Sequence, residues 1–215
     1  MSPPMPGLTT VSALDDYGRT RLSRHFFMRE MLYSEVSNVH GVPNIPEDPE
    51  LALEVGRRFA GEILEPLHEK FGKVSIRSAY RSPLLNGYCN ERFRAGDTAC
   101  WCTDNEMNAA RHIWDRPDAA GNLGATATIF IPAYLDHYEK SGDYRPLAWW
   151  IRDNVPAYAE LYFFAPLCAF NIRWYEGASD KEIWFLEPPR RELLTSRADP
   201  AFGHDHSQFY RGIIN

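Results

Sequence analysis

The chain has 215 residues, of which 44% are hydrophobic and 24% charged, enough to bury a core within one domain. A formal net charge of -6 and a pI of about 5.6 describe an acidic surface that repels phosphate backbones, so no nucleic-acid partner is expected. No apolar run reaches the roughly 20 residues that span a bilayer. Met1 to Thr10 also lacks a basic segment leading into an apolar core, so the expectation is a cytoplasmic protein with no membrane partner.

Residues 1–24 read as a polar lead-in containing Pro3, Pro4 and Pro6. Asp48 and Pro49 open a helix, a capping residue followed by proline at the first helical position. Leu51, Val55, Phe59, Ile63 and Leu67 then draw one apolar stripe, which predicts a long helix over 49–70 with Pro66 tightening its last turn and Gly72 ending it. Residues 74–79 alternate as a half-buried strand, and Arg81-Ser82-Pro83 reads as a turn. Residues 87–123 lack periodicity and are read as a long irregular stretch with one short helix near Glu106 to Trp114. A strand at 126–131 follows, then helices at 133–140 and 144–154, then strands at 161–164, 168–174 and 182–186. The segment Glu176 to Asp180 reads as a hairpin turn, and 188–215 as a C-terminal tail. Helices come first and strands late, which predicts an α+β class with a small, mostly antiparallel sheet.

Four cysteines, Cys89, Cys100, Cys102 and Cys168, read as reduced thiols in a cytoplasmic chain, with a disulfide or a three-cysteine metal site as alternatives. The C-x10-C-x-C spacing is not a usual structural zinc pattern. His25, His40, His68 and His137 lie beside or within helical segments and read as surface or capping residues.

The segment Ser78-Ala79-Tyr80-Arg81-Ser82-Pro83-Leu84-Leu85-Asn86 resembles the S-x-Y-R-S-x-x-x-N signature of the M15-type zinc DD-carboxypeptidases, in the hedgehog/DD-peptidase superfamily. His25 to Glu30 is similar to the opening F-x-x-x-E-F motif of that family, and Asn44-Ile45-Pro46 with Ile63-Leu64-Glu65-Pro66-Leu67 to its next helix. The resemblance covers 25–187 and implies a small antiparallel sheet with helices packed on it. It also implies a catalytic zinc held by H-x6-D and a later W-x-H histidine, a carboxylate base, and an arginine at Arg81 holding the substrate carboxylate or the developing oxyanion. Such a zinc needs three protein ligands and one open position for water.

The chain departs from that pattern at most of these positions. His112 corresponds to the first ligand, but Ala110 stands where the motif has Ser, and residues 113–123 are inserted before Gly124. Thr128 occupies the Asp position and Leu186 the second His position, while Phe164 stands where the base is expected. Trp174-Tyr175-Glu176 is an alternative for the W-x-H strand and also lacks His. One imidazole does not hold catalytic zinc against water, so the expectation is a degenerate peptidase-like domain, a pseudoenzyme with no assigned catalytic residue, no metal and no cofactor. An alternative metal set is His112, His204 and His206, with zinc. Arg81, Asn86 and His112 are the expected ligand-binding residues, for a peptide or small carboxylate.

Three functions compete: a silent domain binding such a ligand, an active amide hydrolase on cell-wall peptides with a rebuilt metal site, and a structural or phage-type assembly component. These readings imply a connection to peptidoglycan and a bacterial or phage setting. No feature of the sequence specifies an oligomeric state.

Overall fold

A computed structural model describes residues 7–213, so Pro3, Pro4 and Pro6 of the lead-in lie outside the described residues. The helices are α1 (Val11–Gly18), α2 (Met28–Leu32), α3 (Glu35–His40), α4 (Pro49–Phe59), α5 (Glu65–Phe71), α6 (Pro83–Arg94), α7 (Asn105–Asn108), α8 (Pro132–Ser141) and α9 (Arg145–Asn154). The strands are β1 (Ser75–Ser78), β2 (Gly124–Phe130), β3 (Tyr158–Phe164), β4 (Phe170–Tyr175), β5 (Ile183–Glu187) and β6 (Arg190–Thr195). They form one six-stranded sheet in the order β1-β2-β4-β3-β5-β6, so the class is α+β. No helix among the described residues is long and apolar enough to cross a membrane.

The sheet is mixed rather than wholly antiparallel, because β3 and β5 run parallel. The reason lies in the segment after β4. Residues 176–180 do not make a hairpin between β4 and β5. They carry the chain past β3, which pairs with β4 on one side and β5 on the other. The C-terminal tail also differs from the expectation, since β6 pairs antiparallel with β5 and extends the sheet. Its Arg-Arg-Glu sequence suits an exposed edge, where charge discourages further strand pairing. Beyond it, His206 is buried and stacks on Trp149 of α9, with ring centroids 3.9 Å apart.

Residues 49–71 form one continuous helical rod, with Asp48 accepting from the Leu51 amide at its start. Its middle, Ala60–Leu64, widens to a π turn. Pro66 cannot donate to the preceding turn and its ring crowds the carbonyl four residues back, and the wider turn relieves that crowding. Val55, Phe59, Ile63 and Leu67 are fully buried along this rod. They share one core with Ala125, Ala127 and Ile129 of β2, Phe170, Ile172 and Trp174 of β4, Leu161 and Phe163 of β3, and Ile183 and Phe185 of β5. Each large apolar side chain so buried contributes about 1.5–3 kcal/mol. In each of these strands the core residues are every second one, which turns the intervening residues to the opposite face of the sheet.

Two helices occupy segments read as irregular. Thr10 caps α1 inside the lead-in, and Ser82 caps α6, with Pro83 at its first position. The Arg81-Ser82-Pro83 turn is therefore the approach to a helix. α7 is confined to Asn105–Asn108, and the stretch after it doubles back on itself. There the Ala110 amide donates to the Arg116 carbonyl at 2.8 Å, and Thr126 of β2 donates to the Arg111 carbonyl at 2.7 Å.

Gly124 is where this returning loop meets the sheet. A Cβ at that position would lie 2.2 Å from the Ala110 carbonyl oxygen and 3.1 Å from that of Trp174, both backbone atoms that cannot swing aside. Gly124→Ala is therefore expected to destabilise the fold by at least the roughly 1–3 kcal/mol typical of overpacking. The urea unfolding midpoint of the variant measures this, and an unchanged midpoint contradicts the close approach.

Candidate functional site

The face of the sheet turned away from the core is the floor of a cavity of about 450 Å³. Thr126 and Thr128 come from β2, Asn171 and Arg173 from β4, Glu160, Tyr162 and Phe164 from β3, and Leu186 from β5. Register aligns them in rows: Thr126 opposes Arg173, Thr128 opposes Asn171, and Phe164 lies beside Leu186. The walls come from Ser78 and Arg81 and from the loop that carries Trp101, Cys102, Thr103, Met107, Asn108, Arg111 and His112. A volume of this size suits a small ligand or the end of a peptide.

The sequence-derived positions His112, Thr128, Phe164, Leu186 and Arg81 thus all line one cavity. Asn86 does not line it. It is fully buried in α6, donates to the Thr103 carbonyl and to Asn105, and accepts from Asn108 at 2.6 Å. Its role is to tie the wall loop to α6. Arg81 Nη1 reaches its Oδ1 at 3.5 Å, so Asn86 also steadies the guanidinium.

The charges are unevenly distributed. Arg111 grips Glu160 with two hydrogen bonds of 2.7 and 3.2 Å, and Arg173 adds a third at 2.8 Å. Arg173 also donates to the Ala110 carbonyl and stacks on the Tyr175 ring at 4.0 Å. Burial alone would raise the Glu160 carboxyl, but the hydrogen bonds and charges of Arg111 and Arg173 outweigh it and hold the group below its ordinary value. Among the described residues Arg81 makes no ion pair with a carboxylate. The cavity therefore holds three guanidinium groups against the single carboxylate of Glu160.

His112 adds no positive charge. Burial first, then the neighbouring Arg81 and Arg111, push its imidazole down to about 3. Its Nδ1 lies 2.9 Å from the Ala79 carbonyl oxygen, which only accepts, so the neutral ring carries its proton there and leaves Nε2 as a lone-pair acceptor. Thr128 Oγ1 donates to Asn171 Oδ1 at 2.6 Å.

The donor set does not suit a zinc ion. Thr128, Phe164 and Leu186 offer no metal-binding imidazole or carboxylate, and the Glu160 oxygens are occupied by two arginines. His204 is exposed and His206 is packed on Trp149, and neither lines the cavity with His112. Among the described residues no group of three or more His, Cys, Asp or Glu side chains stands close enough to hold a metal ion. All four cysteines are free and buried. Leu85, Cys89, Cys100 and Cys102 form a small cluster of their own behind the wall loop.

Glu160, Arg111 and Arg173 are the site residues that sequence reading missed. A signal existed in Glu160 and Arg173, charged residues at polar positions of otherwise apolar strands, but only the strand register shows that they meet. No family model, no curated protein and no solved structure matches the chain.

Two consequences can be measured. Glu160→Gln leaves Arg111 and Arg173 without a counter-charge and, with Arg111 partly exposed, is expected to cost roughly 1–3 kcal/mol, between the values for an exposed and a fully buried pair. Chemical denaturation near neutral pH tests this, and a loss well below that range argues against the triad. The second concerns acid. An unfolded histidine takes a proton near its ordinary value of 6.5, whereas folded His112 stays neutral until about 3. Its contribution to stability is present above about 6.5 and declines as pH falls toward the folded value. Between 6.5 and the ordinary glutamate value of 4.5, Glu160 is still largely ionised in both states and adds little slope. Over that window His112→Gln should flatten the stability profile, and parallel profiles for the two proteins would show that His112 titrates normally.

Proposed function

We propose that the chain is a degenerate relative of the zinc DD-carboxypeptidases that binds a peptide or other small carboxylate in this cavity without zinc-dependent hydrolysis. The observation that carries the reading is the excess of guanidinium over carboxylate, with Arg81 the cation not neutralised by a carboxylate. A guanidinium offers a planar fork that matches a carboxylate with two parallel hydrogen bonds. Such a contact, partly removed from water, contributes roughly 1.5–3 kcal/mol.

The convergence of His112, Thr128, Phe164 and Leu186 on one cavity with Arg81 supports the resemblance, since these are the positions at which the family carries its metal ligands and base. Their replacement by a threonine, a phenylalanine and a leucine supports the loss of metal chemistry. Trp101 and Met107, 65% and 63% exposed, line the same cavity and supply apolar surface for the body of a peptide. A domain serving only as a structural part has no need of an uncompensated cation in a cavity, so binding is the favoured reading.

Calorimetric titration with short peptides that end in a free carboxylate, and with the same peptides amidated, tests the proposal. Binding is expected for the free acid and not for the amide. Arg81→Ala should weaken it by roughly ten- to a hundredfold, corresponding to the loss of one charge-assisted contact. Arg81→Lys should weaken it nearly as much, because a point charge does not reproduce the fork. Equal affinity for acid and amide, or Arg81 variants that bind like the parent, would remove the reading. Release of the C-terminal residue on adding zinc would favour an active hydrolase instead.

A further inference from the structure

His112 stands between Arg81 and Thr126 on the wall of the cavity. The Arg81 amide donates to the His112 carbonyl at 2.8 Å, and the Thr126 amide to the Arg111 carbonyl at 2.7 Å. Backbone bonds thus hold these three cavity residues close together. The His112 ring is fixed as well. Its Nδ1 faces the Ala79 carbonyl oxygen at 2.9 Å and donates there, which leaves Nε2, across the ring, an acceptor with an unused lone pair.

The other side-chain acceptors of the cavity are spent. Both Glu160 oxygens accept from arginine, Asn171 Oδ1 accepts from Thr128, and Asn108 Oδ1 accepts from the His112 amide. Among the described side chains that line the cavity, His112 Nε2 is the nitrogen or oxygen that only accepts and makes no bond within the protein. A second group there is also unmatched. Thr126 is 6% exposed, lines the cavity, and its Oγ1 has no hydrogen-bond partner. A buried hydroxyl in that state is costly, and a ligand atom seated against it removes the cost.

We infer that His112 is the specificity-determining acceptor of the cavity and selects an N-acylated α-amino acid, the end of a peptide chain. The last amide N–H of that ligand meets Nε2 while its carboxylate meets Arg81. The inference rests on the carboxylate-binding reading above and names the ligand class for it. A peptide end carries a carboxylate and an amide N–H on one α-carbon. One residue therefore presents an anion to the guanidinium and a donor to the neighbouring imidazole. A simple carboxylic acid lacks the donor. A free amino acid has one, but its ammonium group adds a cation beside Arg81, Arg111 and Arg173, with only Glu160 against them. Acylation removes that charge and keeps the N–H. Thr126, whose hydroxyl both donates and accepts, is left to meet a ligand oxygen.

Calorimetric titration near pH 7.5 compares acetyl-alanyl-leucine with its ester analogue, in which oxygen replaces the leucine N–H. At that pH an imidazole with the ordinary pKa of about 6.5 is mostly neutral, so the comparison does not depend on how His112 titrates. The ester keeps the carboxylate and the side chains but turns a lone pair toward Nε2, and it should bind about tenfold more weakly. Free leucine should bind more weakly than acetyl-leucine. In His112→Asn the shorter side-chain amide still donates toward the Ala79 carbonyl but places no atom at Nε2, so amide and ester should bind within about twofold of each other. The preference for free acid over amidated peptide should remain, since Arg81 is intact. On the parent chain with isotope-labelled histidine, the Nε2 nitrogen NMR signal should shift at saturation with the amide and far less with the ester.

Equal affinity for amide and ester on the parent chain overturns the inference, as does an amide preference that persists in His112→Asn. Tighter binding of free leucine than of acetyl-leucine also overturns it. An unmoved Nε2 signal at saturation does so too, and that measurement needs no variant to fold. Where amide and ester bind alike but the amidated peptide does not bind, this inference fails and the carboxylate-binding reading stands. Where the amidated peptide binds as well as the free acid, the carboxylate-binding reading fails and takes this inference with it.

Discussion

Glu160 lies half-buried at the floor of the cavity with two guanidinium groups on its two oxygens, and the arrangement of the site follows from how those charges are satisfied. Taking a carboxylate out of water is costly unless it is paired and hydrogen-bonded. Arg173, from the neighbouring strand, supplies one partner as a matter of sheet register. Arg111 supplies the other from a loop with little regular structure, so the ion pair is also what holds that loop over the sheet. The remaining anchors act at the same place: Arg173 donates to the Ala110 carbonyl, and Thr126 to that of Arg111. Once the loop is fixed there, His112, Cys102 and Trp101 become walls of the cavity. Two arginines on one carboxylate also leave positive charge over.

The second constraint is the two-faced sheet. Alternation along β2, β3, β4 and β5 sends Ala, Ile, Leu and aromatic residues to the core against the long helical rod, and Thr, Asn, Arg, Glu and Tyr, together with Phe164 and Leu186, to the cavity. A shift of one residue in β3 or β4 would place Glu160 or Arg173 in the apolar core. The floor of the site and the core of the protein are therefore specified by one pattern, read on its odd and even positions.

That pattern explains what the sequence made legible. The strands at 126–131, 161–164, 168–174 and 182–186 were readable because apolar residues recur there at period two between turn residues, and the long helix because its stripe recurs every four. α6 was not, since its buried positions include Asn86 and Cys89 as well as Leu85, and a face of that kind carries no apolar periodicity. β6 was hidden by its arginines and glutamate, which suit an edge strand but read as tail. The parallel β3–β5 pair depends on where residues 176–180 lead the chain, and local turn chemistry does not encode that destination. Within the site, motif spacing singled out Arg81, His112, Thr128, Phe164 and Leu186. The Arg111–Glu160–Arg173 triad joins residues 49 and 13 positions apart, and no spacing within a single segment reveals it.

An acidic protein with a cationic cavity has an electrostatic consequence of its own. The net charge of -6 repels anions over most of the surface, while the guanidinium excess attracts them at one place. Low-dielectric walls concentrate such a field, so the contrast favours anions that carry more than charge. A small, fully hydrated ion gains little from entering a cavity with an apolar end, whereas a carboxylate with an apolar body has something to bury. Phe164 and Leu186, side by side on adjacent parallel strands, provide that end, and Arg81, Arg111 and Arg173 the other. A ligand seated as proposed would lie with its carboxylate toward Arg81 and its body toward β5. On this reading the apolar Phe164 and Leu186 and the three arginines set a polarity gradient across the cavity, and that gradient selects the ligand's orientation.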